Sequence, residues 1–163
     1  MDKYKQQLEK LLPTANKKRV WLFFLSFLRF EYALKSSGFA VGSAKGVRPA
    51  WDRFASKYCD HFDPGSNARL KAACDYFASH PPKKQILDGS SLRFVDCHSR
   101  GNEPLLCWLV AMIRRVRNNL FHGGKAIPDP ARDLPLINHS LVILEAFLEL
   151  DVNVRQHFME PSR

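Results

Sequence analysis

The stretch Arg114-Arg115-Val116-Arg117-Asn118-Asn119-Leu120-Phe121-His122-Gly123-Gly124-Lys125 crowds arginines, asparagines and a histidine ahead of two glycines. A guanidinium offers a rigid fork of donors matched to phosphate, and an imidazole exchanges protons near neutral pH. Such a set can hold a phosphodiester and move its protons without a metal ion. At about 100° per residue on an ideal helix, Arg115, Asn118, Asn119 and His122 fall on one polar side. Leu109, Ile113, Val116 and Leu120 fall on the other. Asn118 and His122 are four apart, hence direct neighbours. Arg117 lies about 140° around the helix from His122. The two meet if the helix loosens, if the arginine reaches round, or if the His122 comes from another copy. Arg and His also suit a helix C-terminus because they face the negative end of its dipole. For Arg114 and Arg115 that plainer reading weighs at least equally.

Helical spacing supplies the elements that would position these groups. Over Lys17–Lys35, Val20, Phe23, Phe24, Phe27, Leu28 and Leu34 recur at helical steps, and Ser36-Ser37-Gly38 predicts the end, with Gly38 as a left-handed cap. Residues 42–46 read as a glycine- and serine-containing loop. Pro49 can open a helix over about Ala50–Cys59 that buries Trp51, Phe54, Ala55 and Tyr58. Asp63-Pro64-Gly65-Ser66 is a turn, and Ser66 or Asn67 caps a helix running to about Ser79. His80-Pro81-Pro82 stops it. Between Lys83 and Gly101, Ile86-Leu87 and Leu92–Val95, joined by Asp88-Gly89-Ser90-Ser91, suggest a small hairpin or an ordered loop. Asn102 is the expected cap of the central helix, with Pro104 in its first turn and an apolar stripe of Leu105, Leu106, Leu109, Met112, Ile113, Val116 and Leu120. Gly123 and Gly124 end it. Residues 125–135 read as a loop with three prolines, and one last helix is expected from about Leu136 to Phe158, with Leu141, Leu144, Ala146, Phe147, Leu148 and Leu150 inward. The sum is an all-α bundle of about four or five helices in a single domain over residues 1–163.

The chain has 163 residues, of which 45% are hydrophobic and 25% charged, as in an ordinary soluble globular domain. The most apolar run, Val20–Leu28, is interrupted by Ser26 and followed by Arg29 and Glu31, so no membrane span is expected. The first ten residues mix acids, bases and glutamines unlike a secretory signal, which places the protein in the cytoplasm. Cys59, Cys74, Cys97 and Cys107 form no C-x-x-C pair and are read as free thiols. Cys59 with His61 and Cys97 with His98 could supply four zinc ligands, but the spacings fit no familiar module, so no metal or cofactor is expected. No cysteine stands in a recognisable nucleophile pattern. The net charge of +9 favours a polyanionic partner such as RNA.

Arg117-Asn118-Asn119-Leu120-Phe121-His122 resembles the mark of the HEPN superfamily (higher eukaryotes and prokaryotes nucleotide-binding). That mark is an Arg, four to six residues, then a His, often with a polar residue directly after the Arg. Leu120–Lys125 is similar to a common form of the motif, and so are the proline-containing loop and apolar helix after it. Arg29–Lys35 resembles an early helix of such proteins, and Pro81-Pro82-Lys83-Lys84-Gln85 an element found in some. The likeness spans roughly Lys17–Leu150. It implies an all-helical domain that pairs so that two motif helices face each other across a cleft. Many members are metal-independent endoribonucleases, including toxins of toxin–antitoxin systems and phage-defence effectors; others bind nucleotides or assist a partner nucleotidyltransferase.

Carried over, Arg117, Asn118 and His122 are the active residues: His122 as general base or acid, Arg117 on the phosphoryl charge, Asn118 orienting His122 or donating to phosphate. Arg114, Arg115 and Asn119 are supporting candidates. Glu31 could clamp Arg117 or Arg115, or pair in solvent with Lys35 four residues on. Lys83, Lys84, Arg93 and Arg100, beside Phe94, could form an RNA-guiding rim together with Lys125; a solvated charged loop is the plainer reading. The expected partners are RNA, a second copy of the chain, and an antitoxin or regulatory protein. The rival readings are a non-catalytic RNA-binding, nucleotide-binding or partner-docking module, and a purely structural helical dimer.

Overall fold

The computed structural model describes residues 14–97, 99–121 and 130–160. Among them six α-helices and two short antiparallel hairpins are present. The helices are α1 (Thr14–Ser36), α2 (Trp51–Tyr58), α3 (Ala68–Ser79), α4 (Leu105–Phe121), α5 (Pro130–Glu149) and α6 (Val152–Met159). The hairpins are β1 (Ala40–Ser43) with β2 (Gly46–Pro49), and β3 (Lys84–Asp88) with β4 (Ser91–Val95). The fold is therefore mainly helical rather than all-α.

The long α1 is the spine, packed along α5 and α6, with α2 against α4 and α3 against α5. Its inward row, Phe23, Phe27, Phe30 and Leu34, repeats at steps of four and three and is buried. Phe30 meets Trp51 of α2 at 5.0 Å between ring centroids and Phe147 of α5 at 6.1 Å. Phe54 packs on both Phe30 and Phe147. This aromatic lattice ties the three helices together. Gly38, at φ +85°, ends α1: the Phe39 N–H turns back to the Leu34 carbonyl at 2.9 Å, and Phe39 then buries its ring.

The chain departs from the sequence-based expectation in four places. The predicted 42–46 loop is the centre of the β1–β2 hairpin, and Pro49 closes β2 instead of opening α2. Its strands are short, glycine-containing and mostly exposed, so they carry no alternating apolar signal. Asn102 lies in a turn before α4, and the first helical bond runs from the Trp108 N–H to the Pro104 carbonyl, so Pro104 takes the capping position. Residues 130–135 are helical: Pro130 sits first in α5, where its missing N–H costs nothing, and Pro135 is accommodated one turn in. Finally, the expected last helix is two. Asp151 breaks it by accepting bonds from the Asn153 and Val154 amides at 2.9 and 3.1 Å, which makes it the N-cap of α6.

Where expectation held, the reasons are local. The Asn67 side chain caps α3 by accepting from the Leu70 amide at 2.7 Å. The β3–β4 hairpin turns through Gly89-Ser90 with Asp88 paired to Ser91; Gly89 has φ +61° and Ser90 does not, the signature of a turn that needs glycine first.

Candidate functional site

Helix α4 carries Arg117, Asn118 and Asn119, and its neighbours grip it from two sides. On one side the Arg117 guanidinium lies over the Phe27 ring of α1, 5.6 Å from the centroid, and donates to Asn118 Oδ1 at 3.1 Å. The three ways in which Arg117 could meet His122 all turn on a residue outside the described ones. Arg114, half exposed, stands 3.7 Å from Asp52 of α2. On the other side Asn119 Nδ2 donates to the Lys83 carbonyl at 2.8 Å, and Arg115 reaches Cys97 Sγ and Met112 Sδ. Asn118 is exposed. His122 and Lys125 lie outside the described residues, as do the two glycines that were expected to end the helix.

The candidates therefore divide. Arg117 and Asn118 come together with a solvent-facing aspect. Arg115 and Asn119 instead fasten α4 to the β3–β4 region, which uses their donors structurally. Glu31 accepts a bond from the Trp51 indole Nε1 at 3.2 Å, a partnership the sequence did not suggest. It caps a short relay of contacts, Arg117 over Phe27, Phe27 against Trp51 at 5.3 Å, and Trp51 to Glu31.

Of the expected rim cations, Lys83, Lys84, Arg93 and Arg100 are described and Lys125 is not. Arg93 pairs across the hairpin with Asp88, and Arg100 Nη1 donates to the Glu103 carbonyl at 2.7 Å. Arg93 and Phe94 are successive strand residues and so face opposite sides of the hairpin. Lys84 is exposed at the open base of the hairpin, opposite Val95. Lys83 is joined to α4 by its backbone carbonyl, through Asn119.

A group that sequence reading passed over lies beside Lys83. Tyr76 is stacked between His80, at 4.7 Å, and His139, at 4.4 Å. Burial lowers the pKa of His139 and so favours its neutral ring. Burial likewise raises the Tyr76 hydroxyl, with the nearby Arg132 charge pulling the other way. Tyr76 and His80 are four apart, His80 being the residue that follows α3, a legible signal. His139 and Arg132 come from α5, and nothing local in the sequence announces their approach.

Two of the cysteines are held as thiols by burial. Burial pushes the Cys74 thiol up to about 11, leaving it protonated at neutral pH, and it raises Cys107 too. Among the described residues no three His, Cys, Asp or Glu side chains gather as a metal site; His98 lies outside them. No described helix is long and apolar enough to cross a membrane. In comparisons with family models, curated proteins and solved structures, nothing matches this chain.

Proposed function

We propose that the chain is a HEPN-like, metal-independent endoribonuclease whose site is completed by pairing two copies. The observation that carries this is Arg117, presented at the end of α4 over Phe27 with Asn118 in contact. In the reaction a ribose 2′-oxygen attacks the adjacent phosphorus and the 5′-oxygen of the next nucleotide leaves. The products are a 2′,3′-cyclic phosphate and a 5′-hydroxyl. One His122 takes the 2′-hydroxyl proton and the partner's His122 supplies a proton to the leaving oxygen. Arg117 steadies the charge growing on the phosphoryl oxygens.

Support for pairing comes from the outer face of α1. Trp21, Leu25, Leu28 and Tyr32 follow one another at helical steps opposite the buried row, and each is at least 40% exposed. Phe27, on which the Arg117 guanidinium rests, belongs to the buried row and not to this face. A second copy is the occupant we assign to it. In this reading the protein works as a toxin or a phage-defence effector, restrained or triggered by an antitoxin or regulatory protein.

The test is incubation of pure protein with labelled RNA. Cleavage should proceed in excess chelator and leave cyclic phosphate ends. His122→Ala should lose about 100-fold or more of the rate with its fold intact. Full activity in that variant, or a strict need for a divalent ion, rejects the mechanism. One observation favours a non-catalytic binder instead: the Arg117 guanidinium is already engaged by Phe27 and Asn118. That reading predicts RNA binding with no turnover in the same assay.

A further inference from the structure

An open groove of about 720 Å³ lies where α3, the α3–β3 connection and the start of α5 meet, lined among others by Tyr76, His80, Lys83, Asp96 and Arg132. That volume is in the usual range for sites that hold a nucleotide-sized ligand, about 300–1,000 Å³. Three stacked rings, His139, Tyr76 and His80, form a ladder with interplanar angles of 27° and 15°. Both faces of Tyr76 are occupied within the ladder. His80 is its exposed end, held flat against Tyr76.

Two cations share the groove with this ladder. The Lys83 ammonium is 3.4 Å from an Asp96 carboxylate, and both side chains are solvent-accessible, at 39% and 87%. Such a pair contributes little and yields readily to a phosphate. Arg132 brings a planar fork suited to phosphate oxygens. Lys83 and Arg132 also border a narrow cleft with Val116 and Asn119 of α4, and Asn119 holds the Lys83 carbonyl. The groove is therefore fixed to the same helix that presents Arg117.

We propose that this groove seats one nucleotide of a single-stranded RNA, its base stacked on the outer face of His80 and its phosphate between Lys83 and Arg132. This rests on the RNA reading above and gives the strand a path beyond the cleavage centre. Stacking on His80 accepts any base, because every base offers a π-face. The groove therefore adds affinity without sequence preference. A free nucleotide presents the same chemistry, so the test separates the two sources.

The experiment measures binding of a fluorescent, 2′-O-methylated single-stranded RNA, which resists 2′-hydroxyl cleavage, by the full-length chain across a salt series. His80→Ala should weaken binding about 10-fold with the salt slope unchanged, and His80→Trp should restore it. Arg132→Ala should weaken binding and lower the slope by about 0.7, one phosphate contact on a single strand. Circular dichroism confirms that each variant folds. Adenosine monophosphate should compete only weakly; tight displacement by it would replace the strand with a free nucleotide and overturn the proposal. Wild-type affinity in both His80→Ala and Arg132→Ala would overturn it also, even if His122-dependent cleavage stands. Loss of binding in those variants, with no cleavage by the wild type, would uphold the groove while the nuclease reading falls.

Discussion

At the residue scale, Asp151 does the most with one side chain. It is 7% exposed, caps α6 through two amides and accepts the Tyr58 hydroxyl, with the Lys57 ammonium 3.8 Å away. Desolvation pushes its carboxyl up, but the bonds from Tyr58, Val154 and Asn153 and the Lys57 charge together outweigh that and hold it below the ordinary 3.8. A depressed folded-state pKa means stability present above the unfolded value and lost as pH falls through the folded one. Asp151→Ala should cost about 2–4 kcal/mol at neutral pH, since it removes a cap and strands a half-buried phenol. Urea denaturation should show the gap between wild type and variant closing below about pH 4. A gap that stays constant down to pH 2 would show that the carboxylate charge is not the cause. Arg117 makes the contrasting residue case. Arg117→Lys keeps the charge but loses the planar seat on Phe27, so we expect cleavage to fall at least 10-fold with little change in melting temperature. Single-turnover cleavage beside a thermal melt checks both halves.

At the element scale, Arg29 pins α6 to α1. Its guanidinium donates to the backbone carbonyls of His157 and Phe158 at 2.6 and 2.9 Å, which meets the negative end of the α6 dipole. Arg29→Ala should cost about 1–3 kcal/mol, and the protection of α6 amides from hydrogen exchange should drop before that of α4. Uniform loss across both helices would reject a local role. Little of this contact was legible in sequence, because Arg29 and Phe158 lie at opposite ends of the chain. The helices themselves were legible, since Phe23, Phe27 and Leu34 recur at helical spacing and Gly38 and Asn67 mark ends by local chemistry, although the buried row also takes in Phe30 and leaves Leu28 exposed. The α5–α6 break was missed for the opposite reason: Leu144 to Phe158 keeps a helical apolar rhythm, and only the side chain of Asp151 turns the backbone aside. Arg117 and Asn118 stood out because they adjoin in sequence. The His139–Tyr76–His80 ladder did not, because two helices must pack before it exists.

At the scale of the whole molecule, the proposed pairing rests on the outer face of α1. From Trp21 to Tyr32 the stripe is about 16 Å long, and at a helix width of about 10–12 Å it covers under roughly 200 Å² in projection. A stable interface buries about 800 Å² per partner, so the stripe can be only its centre and the contact must spread to neighbouring surfaces. An antiparallel pairing about the stripe's midpoint sets Lys18 of one copy opposite Lys35 of the other, and the chain's +9 charge adds a general repulsion. Added salt screens that repulsion, so pairing should tighten from low to moderate salt while RNA affinity falls over the same range. Sedimentation of the free protein should therefore show a dimer favoured by salt, and Trp21→Glu with Leu25→Glu should leave a folded monomer at every salt concentration. If cleavage depends on a site shared between copies, that monomer should bind RNA yet fail to cut it, and mixing it with His122→Ala protein should not restore activity. A wild type that is monomeric at all concentrations tested, or a charged-face variant that cuts at the wild-type rate, would remove the second copy from the mechanism.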